Sequence, residues 1–393
     1  MDNENSREHI CPDGRPLDHK EPEASPEQRS FADLQRDIIS AGLCSQCGGC
    51  VSFCSANKLG ALEMSPDGTP RYSDEEKCLK CGLCYSICTQ IDELDQELLE
   101  KFDWVPPMGR YERVASARTT NHEIRNICTD GGVVTSLLMY MLDYNLIDGA
   151  VVSRFEGPFN RVPMIATNRI DVLNSAGSDF SASTHIGVVG DEYSTYSPGA
   201  FALKDLTSSM RASRVALVGT PCQVHTIRKM QCLNIVPSDM VRYTIGLFCM
   251  ENFAFPALAK QEIEAKIGAK MDEIKKLNVK EDLIVTLIDG RSIHIPFSRI
   301  HEFARPACLK CTEFANDFAD ISAGGLGSPD GYTTVLIRNE AGQKIYQGAL
   351  KLGYIEEQTY DSYREKADSH IEMATKIINF AGEKRERGQR ARS

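Results

Sequence analysis

Residues 44–54 read CSQCGGCVSFC and residues 78–88 read CLKCGLCYSIC. Both stretches space their cysteines as Cys-x-x-Cys-x-x-Cys-x-x-x-Cys. The two runs are Cys44, Cys47, Cys50 and Cys54, and Cys78, Cys81, Cys84 and Cys88. Three cysteines at two-residue intervals wrap a tight loop that turns their thiolates toward one centre. Gly48, Gly49 and Gly82 suit a backbone that passes close to such a centre. The repeated spacing therefore decides the fold of this part of the chain.

The spacing is typical of a bacterial two-cluster ferredoxin, in which the fourth cysteine of each run binds the other run's cluster. We therefore predict two [4Fe–4S] clusters, one held by Cys44, Cys47, Cys50 and Cys88, the other by Cys54, Cys78, Cys81 and Cys84. Zinc sites and a disulfide scaffold are the alternatives, but zinc favours two Cys-x-x-Cys pairs over two complete four-cysteine runs. A proline usually follows the fourth cysteine, whereas Ser55 and Thr89 stand there. This difference removes no ligand.

The composition of the chain argues against several classes of protein. The chain has 393 residues, with 44 Lys and Arg against 55 Asp and Glu, so its net charge is −11. This acidic balance argues against general nucleic-acid binding. No apolar run reaches membrane-spanning length, and the polar N-terminus does not resemble a signal peptide. Fifteen cysteines without an export signal indicate metal binding in a reducing compartment. We therefore expect a cytoplasmic protein without a membrane span.

Shifts in composition divide the chain into four segments. Residues 1–30 are polar and acidic and are expected to form a flexible tail. Residues 31–105 form the ferredoxin module, which ends at a Trp-Val-Pro-Pro segment. Residues 106–360 form a core, and residues 361–393 form a C-terminal helix and a basic tail. The basic run at 384–387 is expected to be solvated, with docking to an acidic partner as the alternative.

The core alternates between strand and helix patterns, which predicts an α/β (α+β) fold. Strands are predicted at 150–155, 163–168, 214–219 and 241–249, and helices at 136–146, 201–210, 223–231 and 255–270. Two hairpins are also expected. One turns at Asp289-Gly290, a strong turn signal, and the other pairs residues 333–338 with residues 344–348.

Four further cysteines could converge on a third cluster. Cys222 and Cys249 follow predicted strands, and Cys308 and Cys311 form a Cys-x-x-Cys pair. Spacing alone leaves alternatives open. Cys222 and Cys249 could be buried structural residues, and Cys308 and Cys311 could form a redox-active dithiol.

Two glycine-containing turns precede predicted helices. The first is TDGGVVT at residues 129–135, and the second begins at Gly219-Thr220-Pro221. Such turns expose backbone N–H groups that suit a phosphate, and ligands of open α/β folds gather at the carboxyl ends of strands. Neither segment is a G-x-G-x-x-G fingerprint, so a standard NAD(P) site is not supported.

At this point the chain resembles the coenzyme F420 hydrogenase/dehydrogenase β-subunit family. The resemblance runs from the cysteine runs to about Gly348. The motifs that support it are TDGGVVT at 129–135, LIDGAVV at 146–152, VGTPCQ at 218–223, GLFCMENF at 246–253, CLKC at 308–311, ADIS at 319–322 and GLGS at 325–328.

The resemblance implies a core that binds FAD and one further [4Fe–4S] cluster. Cys222, Cys249, Cys308 and Cys311 are the implied ligands, with Cys128 and Cys232 in reserve. The implied flavin contacts are Thr129, Asp130, Gly131, Gly132, Thr135, Ser178, Ser181, Gly219, Thr220 and Pro221. Similar chains usually have a lysine at the position of Asp179, so one phosphate or coenzyme contact is in doubt there.

The implied activity is electron transfer between F420 and a partner protein. Reduced F420 gives up a hydride, a cluster takes one electron, and FAD converts between the two. The implied partners are a heterodisulfide reductase, a hydrogenase or a dehydrogenase complex. The alternative is an electron-relay subunit of another oxidoreductase, such as a formate dehydrogenase or a ferredoxin-dependent reductase, that does not use F420.

Charged residues are assigned less specific roles. His225 is expected on the surface of a helix. Five cations are candidates to meet the anionic tail of F420, namely Arg154, Arg161, Lys204, Arg228 and Lys229.

Overall fold

The structure, a computed structural model, describes residues 29–157, 160–177, 193–194, 196–206, 213–255 and 257–392. Most of the predicted N-terminal tail and Cys11 lie outside these residues. Among the described residues, no helix combines the length and the apolar composition needed to cross a bilayer.

Strands of the described chain form one large sheet and three small ones. They are β1 (Leu62–Met64), β2 (Pro70–Tyr72), β3 (Arg113–Thr119), β4 (Gly149–Gly157), β5 (Asn160–Ala166), β6 (Tyr193–Ser194), β7 (Val215–Gly219), β8 (Val241–Leu247), β9 (Ala254–Phe255), β10 (Ile274–Val279), β11 (Leu283–Leu287), β12 (Ser292–Ile295), β13 (Ile321–Gly324), β14 (Thr333–Ile337) and β15 (Ile355–Glu357).

Helices connect and cover these strands. They are α1 (Phe31–Leu34), α2 (Gly49–Ala56), α3 (Leu83–Ser86), α4 (Asp95–Lys101), α5 (His122–Ile127), α6 (Val133–Asp143), α7 (Arg169–Leu173), α8 (Pro221–Cys232), α9 (Ala257–Ile267), α10 (Pro306–Leu309), α11 (Glu340–Lys351) and α12 (Tyr363–Arg392). A π-helical turn follows α1 at Gln35–Ile39. Short 3-10 helices lie at Glu75–Lys77, Gly199–Asp205, Ser238–Met240, Met271–Glu273, Phe297–Arg299 and His301–Phe303.

The large sheet has the order β15-β3-β14-β13-β8-β7-β4-β5. Its four inner strands, β13, β8, β7 and β4, run parallel, and antiparallel strands flank them on both sides. The carboxyl ends of the four parallel strands therefore meet at one edge, where ligands of open α/β sheets bind.

Helices pack on both faces of this sheet. Along β7, Ala216 packs with α6 and α11, whereas Val215 and Leu217 pack with α8. This alternation follows from the two-residue period of a strand, and it buries Val215, Ala216 and Leu217 on the two faces of the sheet. The predicted α/β class is confirmed.

One predicted element is wrong. Residues 344–348, expected to be the second strand of a hairpin, lie within helix α11. The side chain of Asn339 accepts a hydrogen bond from the N–H of Gly342 at 3.0 Å and caps this helix. Ile345, Tyr346 and Ala349 are buried along one face at helical spacing. The hairpin at Asp289-Gly290 is confirmed, because β11 and β12 pair across it.

The ferredoxin module packs directly on the core. Ile87 and Leu98 are fully buried with the side chains of α8. The hydroxyl of Thr226 on α8 donates to the carbonyl of Ile87 at 2.9 Å. A Cβ atom on Gly49 would lie 2.5 Å from the same hydroxyl, so only glycine lets α2 approach α8 this closely.

Candidate functional site

The cysteines of the two ferredoxin runs lie in two separate groups. The first ferredoxin set consists of Cys44, Cys47, Cys50 and Cys88. Burial raises the pKa of the Cys88 thiol to about 12, and the nearby charges of Cys47 and Cys44 raise it further. Cys88, the last residue of the second run, therefore lies with the first three cysteines of the first run.

The second ferredoxin set consists of Cys54, Cys78, Cys81 and Cys84. Burial raises the pKa of Cys84 to about 12, with further contributions from the other three members. The fold thus brings Cys54 across to the second run, the exchange that two interleaved clusters require.

Four distant cysteines meet in the core. We call Cys222, Cys249, Cys308 and Cys311 the core set. They line one cavity of about 250 Å³. Burial raises the pKa of Cys249, and the charges of the other three members raise it further. Residues far apart in sequence come together because the ends of β7 and β8 are neighbours in the sheet.

Each of the three sets offers four thiols, the number of protein ligands that a [4Fe–4S] cluster takes. Every described cysteine is a free thiol. Within the described residues, no three His, Cys, Asp or Glu side chains lie close enough together to hold one metal ion. Zinc requires its thiolates at about 2.3 Å from one ion, whereas the irons of a cubane meet their ligands at separate corners.

The C-terminal helix covers the core cavity. Residues 384–387, expected to be solvated, lie within α12 and pack against the core. Lys384 is 2% exposed, and its Nζ donates to the carbonyl of Cys249 at 2.5 Å. A Cβ atom on Gly388 would lie 2.6 Å from the carbonyl of Cys311. The expectation of a solvated tail is wrong, because this segment forms one wall of the site.

A second, larger cavity lies at the carboxyl edge of the sheet. Its volume is about 330 Å³, which falls within the usual range for small-molecule sites. Val218, Leu247 and Gly324, at the ends of β7, β8 and β13, form its floor. The flavin contacts implied by the sequence that line it are Thr129, Asp130, Gly132, Thr135 and Thr220.

The other implied flavin contacts lie elsewhere. Gly131 lies behind the cavity, and its N–H donates to the hydroxyl of Thr333 at 2.9 Å. Gly219 packs against Gln223, and Pro221 lines the core cavity. Ser178, Asp179 and Ser181 fall outside the described residues.

Helix α6 points its N-terminus at this cavity. Gly132 caps the helix with φ 72°, a left-handed conformation that favours glycine. Val133, Val134 and Thr135 follow in the first turn and line the cavity. First-turn N–H groups have no partner within their own helix, so they can bind an anionic or carbonyl oxygen.

The small sheet β10-β11-β12 forms another wall, which the sequence did not reveal. Asn278 on β10 donates to the Asp130 carboxylate at 2.7 Å. Burial raises the pKa of Asp130, although the Asn278 bond opposes this shift. Lys280 also lines the cavity and pairs with Asp330 at 2.8 Å. The sequence pattern around Asn278 does not indicate that its side chain faces a cavity, because it does not show where β10 packs.

The five candidate cations do not line the larger cavity as the described residues define it. Their contacts are Arg154 with Glu156, Arg161 with the carbonyls of Ser153 and Ala176, Lys204 over the ring of Phe201, Arg228 with Asp320, and Lys229 with Asp95.

The predicted surface position of His225 is also wrong. Its side chain is 14% exposed and lies 3.2 Å from the Asp95 carboxylate and 3.6 Å from that of Glu313. Burial alone would lower its pKa, but the bonds to the two carboxylates raise it above the usual value.

Each site lies near the next one. Cys249 and Asn252 line both the larger cavity and the core cavity. Burial raises the pKa of Cys222 to about 12, and Cys47 of the first ferredoxin set adds to the shift. Cys50 and Cys84 interact in the same way between the two ferredoxin sets. The order is therefore larger cavity, core set, first ferredoxin set and second ferredoxin set.

Three family models match ranges that contain the cysteines of all three sets. The family model "Coenzyme F420 hydrogenase/dehydrogenase, beta subunit N-term" matches residues 114–189, and its C-terminus counterpart matches residues 212–363. A 4Fe-4S dicluster domain matches residues 36–89, the range that contains both cysteine runs.

Relatives and one solved structure agree with these matches. The coenzyme F420 hydrogenase subunit beta of Methanosarcina barkeri is 31% identical over 70% of this chain and 90% of its own length. A coenzyme F420-dependent sulfite reductase of Methanocaldococcus jannaschii is 29% identical over 79% of this chain and 46% of its own length. A chain of the F420-reducing [NiFe] hydrogenase complex from M. barkeri superimposes with a TM-score of 0.61 at 30% identity, covering 73% of this chain and 93% of that one.

Proposed function

The chain belongs to the coenzyme F420 hydrogenase/dehydrogenase beta-subunit family, and from this premise we propose that it exchanges electrons between F420 and a partner protein. One relative is a subunit of a coenzyme F420 hydrogenase and another is a coenzyme F420-dependent sulfite reductase, and the dicluster domain makes this chain an iron–sulfur electron-transfer protein. The finer proposal is that it binds FAD, reacts with F420 by hydride transfer, and uses three [4Fe–4S] clusters.

The contiguous order of the sites supports this proposal most directly. Electron transfer between centres needs them close together, and each site here shares residues or thiol neighbours with the next. A dicluster domain alone would need neither the larger cavity nor the core set. Cys249 joins the two, because it is a member of the core set and also lines the larger cavity.

The residues of the larger cavity fit a flavin. The first turn of α6 offers backbone donors to a pyrophosphate or a ring carbonyl, and Phe248 offers an aromatic surface. The sheet β10-β11-β12 and the end of β13 line further sides of the site. A bound FAD would supply the exchange between one hydride and two single electrons.

The core set and the two ferredoxin sets each offer the four thiolates that a [4Fe–4S] cluster needs. Cys44, Cys47, Cys50 and Cys88 would hold one cluster, and Cys54, Cys78, Cys81 and Cys84 the next. The second ferredoxin set lies at the far end of the order and is the proposed exit. Leu79, between two of its members, is 69% exposed. An apolar side chain beside a cluster suits contact with a hydrogenase, heterodisulfide reductase or dehydrogenase subunit.

Anaerobic purification followed by assay tests the proposal. We expect one FAD and about twelve iron atoms per chain, and loss of the visible absorption of oxidised F420 when a reduced partner or a strong chemical reductant supplies electrons. A protein with full iron and no flavin would contradict the oxidoreductase and leave an electron relay. A flavin that exchanges no electrons with F420 would point instead to another planar substrate.

A further inference from the structure

Lys384 is a buried charge without a carboxylate partner. Its side chain is 2% exposed, and its ammonium donates to the carbonyl of Cys249 at 2.5 Å. In the described part of the chain, no carboxylate lies within salt-bridge distance of this ammonium. The three nearby arginines of α12 do have carboxylate partners, Arg385 with Asp317, Arg387 with Glu251, and Arg392 with Asp92.

The buried Lys384 ammonium needs a negative charge nearby. The four cysteines of the core set can supply this charge as thiolates. An ammonium removed from water is strongly unfavourable unless an opposite charge compensates it. Lys384 lines the same cavity as the core set. Four thiolates around a [4Fe–4S] core give a net negative charge, and this charge grows by one when the cluster is reduced. Neutral thiols would leave the ammonium uncompensated.

We propose that Lys384 is the counter-charge of the core cluster and raises its reduction potential. The inference rests on the third cluster of the proposed function. A fixed positive charge attracts the reduced cluster more strongly than the oxidised one, because the reduced cluster is more negative. Burial strengthens this effect, since little water screens it. The core cluster then becomes a better acceptor for electrons that arrive from the larger cavity.

The packing of α12 explains how the charge reaches this place. Gly388 lies one helical turn after Lys384, on the same face. A side chain at Gly388 would collide with the carbonyl of Cys311. The glycine therefore lets the helix lie directly on the Cys308–Cys311 loop, which brings the Lys384 ammonium into the cavity.

A redox titration of the complete, cluster-loaded protein, followed by electron paramagnetic resonance, tests the proposal. Lys384→Met keeps the length of the side chain and removes its charge. We expect the equilibrium constant for reduction of one cluster to fall about tenfold or more, which is 59 mV for a one-electron couple. Lys384→Arg, which keeps the charge, is expected to stay close to the unaltered protein. Arg364→Met is the matched control, because this residue of α12 is 92% exposed.

The outcomes separate the inference from the proposed function. Unchanged potentials in Lys384→Met with full iron, or an equal shift in Lys384→Arg, would overturn the counter-charge. Lys384→Met could also lose the core cluster. Retention of the cluster in Lys384→Arg would then support the requirement for a positive charge. Loss of the cluster in both variants would show that packing alone matters and would overturn the proposal. A count of about eight iron atoms in the unaltered protein would instead contradict the third cluster itself.

Discussion

Cys308 allows the third cluster to be tested with a single substitution. Its side chain lines the core cavity, and each [4Fe–4S] cluster needs four protein ligands. Cys308→Ala is expected to lower the iron content from about twelve to about eight atoms per chain, measured on anaerobically purified protein. Cys232→Ala is the control, because this half-buried cysteine ends α8 outside the core set. Full iron in Cys308→Ala would remove it from the ligands.

Asp317 predicts a pH dependence of stability. Burial raises the pKa of this carboxyl from 3.8 to about 6, and the neighbouring Glu313 carboxylate adds to the shift. Because the folded state holds the proton more tightly than the unfolded state, the stabilisation is complete at low pH and is lost as pH rises from 3.8 to about 6.

Asp317→Asn removes this dependence and keeps an acceptor for the Trp104 N–H, which lies 2.8 Å from Asp317. As pH rises, the free energy of unfolding of the unaltered protein is expected to fall relative to that of the variant. The decrease is about 1.4 kcal/mol for every tenfold difference between the acid dissociation constants of Asp317 in the folded and unfolded states. No further loss is expected once the pH is about one unit above the folded pKa of about 6, where the carboxyl is ionised in both states. Urea unfolding at several pH values measures the difference. Parallel curves for the two proteins would show that Asp317 ionises normally.

Local spacing predicted some residues of the site and could not predict others. Spacing alone assigns Cys88 to the first ferredoxin set and Cys54 to the second, because in this motif the fourth cysteine of each run binds the other run's cluster. Lys384 and Asn278 reach the site only through long-range packing of α12 and β10. A lysine in a basic, strongly polar helix looks like any solvated residue until the opposing surface is known.

The start of helix α6 depends on one glycine. Gly132 has φ 72°, and a Cβ atom there would lie 2.7 Å from Cγ2 of Ile124. Gly132→Ala is expected to destabilise the protein by about 1–2 kcal/mol and to displace the first turn, so that the purified protein retains little flavin. Flavin released on denaturation measures the loss.

Gly353→Ala is the matched control for this helix. Gly353 has φ 74°, and a Cβ atom added there would meet no atom of the described residues within 4 Å. The substitution therefore brings similar backbone strain away from the cavity. We expect reduced stability with full flavin content. Equal flavin loss in both variants would mean that stability, and not the α6 N-terminus, controls binding.

Helix α11 shows why one element was assigned wrongly. Ile345 and Tyr346 favour strands by local preference, and residues 344–348 were therefore expected to pair with β14. Capping by Asn339 and burial of Ala349 favour a helix instead. The helical spacing spans the whole segment, so a five-residue window could not distinguish it from a strand.

At the scale of the molecule, Lys229 joins the ferredoxin module to the core. Its side chain is fully buried, and its ammonium lies 2.7 Å from the Asp95 carboxylate and 3.2 Å from the carbonyl of Cys88. Lys229→Met is expected to lower the free energy of unfolding by about 2–4 kcal/mol, because Asp95 loses a buried partner. Chemical unfolding measures this change.

Lys344→Met is the comparison, since this exposed residue pairs with an exposed Glu340 and should change stability by no more than about 0.5 kcal/mol. A two-step unfolding curve for Lys229→Met, with iron from one region released first, would show that the contact couples the two parts. Identical curves for both variants would contradict a coupling role.

The sequence was sufficient for the fold class and for the ferredoxin cysteines, because both depend on short-range patterns. The core set depends on the order of strands in the sheet, which no short window contains. Cys222 and Cys249 lie together because β7 and β8 are neighbours, whereas spacing alone left the role of these two cysteines open.

The position of α12 also has a consequence for biogenesis. A ribosome makes Tyr363–Arg392 after all four cysteines of the core set, so the nascent chain exposes their cavity until this helix folds over it. On the proposed function, a cluster at the core set would be most accessible for insertion before α12 docks.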